Sequence, residues 1–176
     1  MKIVKYTAAL SLIATCLFSN AQAATDSATI NLSATVVDNT CTPEWATAGV
    51  DVKMNRVSLQ DFSNKVGASK NFTLSLKDCG ADTTTVKVTA TGTPDDEDNT
   101  LFSNTETNGA SGVGFSIWGG STQATQMKPD GSGTAEYTIT DGKADMVFLA
   151  KLMQTGTDTP GTGEVKCIVT MTVDYQ

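Results

Sequence analysis

The chain has 176 residues, with 12 basic and 19 acidic side chains, a formal charge of −7 and no histidine. The missing histidine removes Ser-His-Asp and Cys-His catalysis and the commonest zinc ligands. The acidic balance argues against nucleic acid and against an anionic membrane surface as partners, since both call for basic patches.

Lys2 and Lys5 open the chain, Ala8 to Phe18 is an apolar run, and Ala21-Gln22-Ala23 is a small-residue cleavage site. These are the three parts of an export signal, so residues 1–23 leave the fold argument. The run is too short to cross a bilayer, which takes about twenty residues. Acylation at Cys16 is disfavoured, because Thr15 is a poor neighbour for it and Leu17 and Phe18 continue the apolar run. Cleavage after Ala23 leaves the length of one domain with room for a core. Loss of Lys2 and Lys5 takes the charge from −7 to −9.

Residues 24–40 form an extension ahead of the next cysteine. Ile30, Leu32, Ala34 and Val36 alternate with Asn31, Ser33 and Thr35, the period of a half-buried strand, and Asp38-Asn39-Thr40 ends it as a turn. After Cys41 come Val50, Val52 and Met54, expected as a short strand, and an irregular run of Val57, Leu59 and Phe62. Further strands are expected around Phe72–Leu76, Val86–Ala90, Val113–Ile117, Ala135–Ile139 and Met146–Leu152. No segment keeps helical periodicity over three turns. Many short strands punctuated by Gly, Asn and Asp turns predict an all-β sandwich. The loop from Pro94 to Gly112 holds Asp95-Asp96-Glu97-Asp98-Asn99, but it lacks the ligand spacing and central glycine of an EF-type calcium loop. A solvated turn is the reading there.

The last stretch, Gly163 to Gln176, has the strongest pattern. Val165, Cys167, Val169, Met171, Val173 and Tyr175 fall on one face of a strand. Glu164, Lys166, Ile168, Thr170, Thr172 and Asp174 fall on the other, polar apart from Ile168. The chain therefore ends on a long core strand whose next neighbour it does not itself supply.

Three cysteines remain after export into an oxidising compartment. Cys41 and Cys79 each sit at the end of an alternating strand, the usual setting of a structural bridge. On the chain-entropy model, closing that loop stabilises the fold by roughly 4 kcal/mol. Cys167 shares the core face with Val165 and Val169 and reads as a buried thiol, with reactive or intermolecular pairing as the alternative.

No carboxylate falls on the core face of an expected strand, and no helix is available to make a phosphate site, so neither catalysis nor a cofactor is expected. Trp118 has outward parity and Trp45 lies in a loop. Either could stack on a sugar, although two tryptophans without a polar cluster read better as covers for sheet edges.

With these elements laid out, the sequence resembles a pilin-domain subunit of chaperone–usher fimbriae of the type 1 pilus kind. Four features carry the resemblance. They are the alternating extension Ile30–Val36, the Cys41/Cys79 pair with its Leu76-Lys77-Asp78-Cys79-Gly80 context, the penultimate Tyr175, and Gly163 fourteenth from the end. The resemblance implies an immunoglobulin-like sandwich lacking its last strand, residues 41–176, preceded by a signal peptide (1–23) and an N-terminal donor-strand extension (24–40).

It also implies partners and a mechanism. A periplasmic chaperone would insert a strand and hold the carboxylate of Gln176 with basic residues. At the outer-membrane usher, the next subunit's extension would replace that strand. Ile30, Leu32, Ala34 and Val36 would then enter a neighbour's groove. This chain's own groove would be lined by Val165, Cys167, Val169, Met171, Val173 and Tyr175, with Phe148 and other sandwich residues. The expected product is a surface fimbrium supporting adhesion, its subunits identical or mixed. Major shaft and minor adaptor subunit are both open. A chain of this length leaves no room for a separate tip lectin domain, and the extension speaks against a chain terminator. Two residues depart from the family pattern: Ala34 stands where the extension usually has glycine, and Cys167 is not a usual groove residue. The alternative from another class is a free-standing secreted sugar-binding domain.

Overall fold

A computed structural model describes residues 40–47 and 49–176. The export signal and the extension as far as residue 39 lie outside the described residues. Nine strands follow in order: β1 (Thr42–Pro43), β2 (Val66–Lys77), β3 (Thr85–Gly92), β4 (Phe102–Ser103), β5 (Val113–Gly119), β6 (Thr125–Met127), β7 (Ala135–Thr138), β8 (Ala144–Gln154) and β9 (Val169–Tyr175). The larger sheet has the order β1-β2-β8-β5-β4, with β6 also on β5, and the smaller has the order β7-β3-β9. Every pairing is antiparallel.

The core lies between the sheets, and the period-2 alternation of each strand decides which side chains enter it. β3 contributes Val86, Val88 and Ala90, all fully buried, while β8 contributes Met146 and Phe148, and β2 contributes Leu74 and Leu76. The Phe148 ring is the hub. Phe72 stacks on it with centroids 5.2 Å apart, and Tyr137 meets it edge-on at 5.3 Å. Gly119 permits this close packing, since a Cβ there would come within 2.7 Å of the Ala135 Cβ. Tyr137 also ties the sheets together. Its hydroxyl donates to the Val147 carbonyl at 2.9 Å and accepts the Gly120 N–H at 3.0 Å, and burial pushes its pKa up.

The expected strands at 72–76, 86–90, 113–117, 135–139 and 146–152 fall on β2, β3, β5, β7 and β8, to within a residue or two at their ends except that β2 begins six residues earlier, at Val66. Two expectations fail. Val50–Met54 has no ladder partner among the described residues, although Val52 and Met54 are half-buried. Val57–Phe62 contains a 3-10 turn at Leu59–Asp61 rather than an irregular strand. Ser58 and Asp61 make a reciprocal capping box there: the Ser58 N–H donates to the Asp61 carboxylate at 2.6 Å and the Ser58 hydroxyl accepts from Gln60 N–H at 3.3 Å.

Replacing Tyr137 by Phe keeps the ring contact and strips a buried N–H and a carbonyl of their partner. The expected cost is about 1–3 kcal/mol, read as a lowered urea midpoint with unchanged m-value.

Candidate functional site: the groove beside the last strand

β9 pairs with β3 from Val86↔Tyr175 to Gly92↔Val169 and, among the described residues, with no other strand. Beyond the last of these pairs, Thr85 and Gln176 exchange both backbone hydrogen bonds, at 2.9 and 3.1 Å. In an antiparallel ladder such pairs alternate, so Asp174, Thr172 and Thr170 also spend their backbone groups on β3. Val169, Met171, Val173 and Tyr175 therefore aim their N–H and C=O groups away from β3, along the outer edge. The same parity turns their side chains inward. Among the described residues these four thus present an unpaired edge, and Val169, Met171 and Val173 join to it an apolar wall.

That wall bounds a groove of about 670 Å³. Phe72 and Leu74 of β2, Phe115 and Ile117 of β5, and Ala150 of β8 form its floor. Val50–Met54 runs along the opposite side with Trp45. Lys70 holds this side in place, its Nζ donating to the Lys53 carbonyl at 2.6 Å. Further up, Glu44 N–H donates to the Ser75 carbonyl at 2.9 Å, and Cys41 is bonded to Cys79 by a disulfide. The failed strand at Val50–Met54 thus lines the groove without a ladder partner among the described residues.

Val165, Cys167, Val169, Met171 and Val173 all line the groove, and each is only half-buried, whereas Ala90 and Val88, the β3 partners of Met171 and Val173, are fully buried. Tyr175 packs against the core beyond the groove's end. Gln176 is held by its backbone, its oxygen accepting from Thr84 N–H at 2.8 Å. Gly163 lies off the groove. A Cβ there would come within 2.5 Å of Ala110 N, so the glycine serves a backbone-to-backbone approach between two loops.

The long strand expected over 163–176 keeps its two faces throughout, with even-numbered residues exposed, among them Ile168 at 71%. Its ladder is shorter than expected. β3 stops at Gly92, and Thr93-Pro94 beyond it turns to β4, Pro94 offering no N–H. Residues 164 and 166 bond instead to the loop at 104–110: Ala110 N–H donates to the Glu164 carbonyl at 2.9 Å and Thr105 N–H to the Lys166 carbonyl at 2.8 Å. Phe148, expected in the lining, is instead fully buried in the core, and Phe72, Leu74, Phe115, Ile117 and Ala150 form the floor; the Val50–Met54 side and this loop were not expected there. They come from distant segments whose own patterns reveal no shared site.

Other candidates do not assemble a site. Asp95 accepts Glu97 N–H and Asp98 N–H, while Asp98 accepts both the N–H and the hydroxyl of Thr100, so the acidic cluster builds a turn. The Trp118 indole donates to the Ser116 hydroxyl at 3.1 Å, and Lys151 Nζ sits 4.6 Å above one face of its ring.

The sequence pattern of the fimbrial protein family matches residues 30–176. The chain belongs to that family. The fimbrial-like protein YcbV of Escherichia coli K12 is 32% identical over 149 residues, covering 84% of this chain and 85% of the relative. Long polar fimbria protein A of Salmonella typhimurium LT2 is 28% identical over 179 residues, covering 99% and 97%. The crystal structure of the P pilus rod subunit PapA shares the fold, with a TM-score of 0.59 and 17% identity over 77% of this chain and 99% of that one. The protein is thus a structural subunit of a surface fimbrium with an immunoglobulin-like pilin fold, in a family of structural proteins rather than enzymes.

In this fimbrial subunit the groove wall carries one free thiol. Burial pushes Cys167 from its ordinary value near 9 up to about 11. A folded-state pKa raised in this way favours the protonated thiol. The associated stability is present below about pH 9 and lost as pH rises through about 11. Against a Cys167→Ala variant, the wild-type urea midpoint should hold a constant offset below pH 9. It should then fall relative to the variant as pH climbs towards 11. Parallel curves would mean a hydrated thiol.

Proposed function

We propose that this subunit polymerises by donor-strand exchange, its groove accepting the extension of a neighbouring subunit. The carrying observation is that Val169, Met171, Val173 and Tyr175 combine an unpaired backbone edge with inward, half-buried side chains. Left open in water, such an edge invites unspecific pairing. Strand addition to a sheet edge is an established mode of recognition, chaperone–pilin complementation among its instances.

A strand placed between β9 and Val50–Met54 completes the ladder with its backbone and the core with alternate side chains. The segment with Ile30, Leu32, Ala34 and Val36 has that period. Each large aliphatic contributes about 1.5–3 kcal/mol on burial, so four of them plus a run of backbone bonds make a long-lived joint. Before assembly, a periplasmic chaperone supplies the strand. The outer-membrane usher is where the next subunit's extension replaces it, after export directed by residues 1–23. The groove has no role for nucleic acid, and the fibre's other members are identical or related subunits.

Two oxidised proteins test the reading, compared by gel filtration and thermal melting. One begins at Asp38. The other is the same body with residues 26–38 appended through a flexible linker after Gln176. The appended strand should convert an aggregating protein into a monomer that melts tens of degrees higher. A body already stable and unmoved by the strand would sink the proposal.

A further inference from the structure

Fourteen residues (155–168) separate β8 from β9, and the first of them are polar, glycine-rich and without a ladder. Val165 and Cys167 nonetheless stand in the groove wall beyond the point where β3 ceases to support β9. Left to itself, a segment of this composition would keep its conformational freedom, and two wall side chains would be lost from the groove.

Beside the backbone bonds from Ala110 and Thr105, one side chain ties both Glu164 and Lys166 to the loop 104–110. The Asn104 amide nitrogen donates to the Ala110 carbonyl at 2.8 Å and to the Glu164 carbonyl at 3.1 Å. Its oxygen accepts Glu106 N–H at 3.1 Å and Lys166 N–H at 2.9 Å. Both donors and both acceptor sites of the amide are therefore spent on backbone. Two of the four bonds close the loop 104–110 on itself, and the other two reach Glu164 and Lys166. Those residues flank Val165 and precede Cys167, so fixing their backbone fixes which way both wall side chains point. Thr105 adds its hydroxyl to the Lys166 carbonyl at 3.1 Å, and Gly109 and Gly163 let the two backbones meet.

We propose that Asn104 is the positioning residue of the groove's end beside the loop 104–110, holding Val165 and Cys167 in the wall so that the incoming strand of a neighbouring subunit engages the groove along its full length. This rests on the strand-acceptor reading of the groove. Without the amide, two backbone bonds and the Thr105 hydroxyl still tie residues 164 and 166 to the loop, and a donor strand still pairs along Val169–Tyr175, but the wall at 165–167 is held less firmly against it. Asn104 touches no donor strand itself; it acts through Glu164 and Lys166.

The test uses the oxidised mature chain, residues 24–176, and a fluorescent peptide of residues 26–38. Peptide affinity and the maleimide labelling rate of Cys167 are both measured, the latter at saturating peptide and pH 9. In the wild type, bound peptide should slow labelling by at least about tenfold. In Asn104→Ala the peptide should still bind and raise the melting temperature, with affinity weakened by about tenfold for the loss of two cross-segment hydrogen bonds. Bound peptide should then slow Cys167 labelling by less than about threefold. Gly163→Ala disturbs the same backbone approach without touching Asn104 and should give the same split between binding and protection.

Equal protection of Cys167 in the wild type and both variants overturns the proposal, as does a parallel loss of binding and protection in both variants. If the wild type binds no peptide, the strand-acceptor reading itself falls, and this proposal with it.

Discussion

The structure depends on one constraint: a sandwich core closed by β9 on a single side only. In an antiparallel strand the direction of the backbone groups and the direction of the side chain alternate together. The residues of β9 that turn away from β3 are therefore the ones that face the core. An edge left unpaired and a core left underfilled are not two defects but one, and only an extended segment remedies both. A small ligand could fill the 670 Å³ groove but would leave the ladder open. A flat polar strand could close the ladder but would leave Phe72, Phe115 and Met171 facing water.

The rest of the chain keeps the groove from collapsing. Phe148, with Phe72 and Tyr137 against it, sets the sheet separation near the floor. Tyr137 hydrogen-bonds across to Gly120 and Val147 on the side of the sandwich away from β9. The Cys41–Cys79 bridge and the Lys70–Lys53 hydrogen bond tether the segment that carries Val50–Met54 to β2 and to the connection from β2 to β3. A body without these ties would be free to bring its own walls together, and the preference for an incoming strand would be lost.

Sequence periodicity exposed much of this because period 2 is a local signal. The faces of residues 164–176 were legible down to Ile168, the single apolar residue on the polar face and the most exposed large apolar side chain described. What stayed hidden depends on partners. The ladder of β9 ends at Val169 because β3 ends at Gly92, a boundary set by Thr93-Pro94 some eighty residues upstream. Val50, Val52 and Met54 read as a strand, but pairing is a property of two segments, and no partner for them lies among the described residues. The Ser58-x-x-Asp61 box could have been seen, since its spacing is the signature of a helix start; its turn is too short to show helical periodicity. Asn104 sits in a patternless loop, and its role appears only when residues 164 and 166 are brought beside it.

Hydrophobic alternation and hydrogen-bond supply thus act at different levels along the same edge. Alternation chooses which side chains of residues 163–176 form the wall, and does so regardless of neighbours. Hydrogen bonds decide whether that wall is held, and by what: β3 for Val169–Tyr175, the loop 104–110 for Val165 and Cys167. The second support is a loop rather than a strand, so it steadies the wall without offering a ladder of its own on the groove side. The edge therefore stays open to an incoming strand while the apolar wall extends past the end of β9. A continuous β3 would have held the wall equally well, but it would have carried the smaller sheet on past the turn at Thr93-Pro94. That turn takes the chain to β4 on the opposite sheet, and the loop after β4 supplies Asn104.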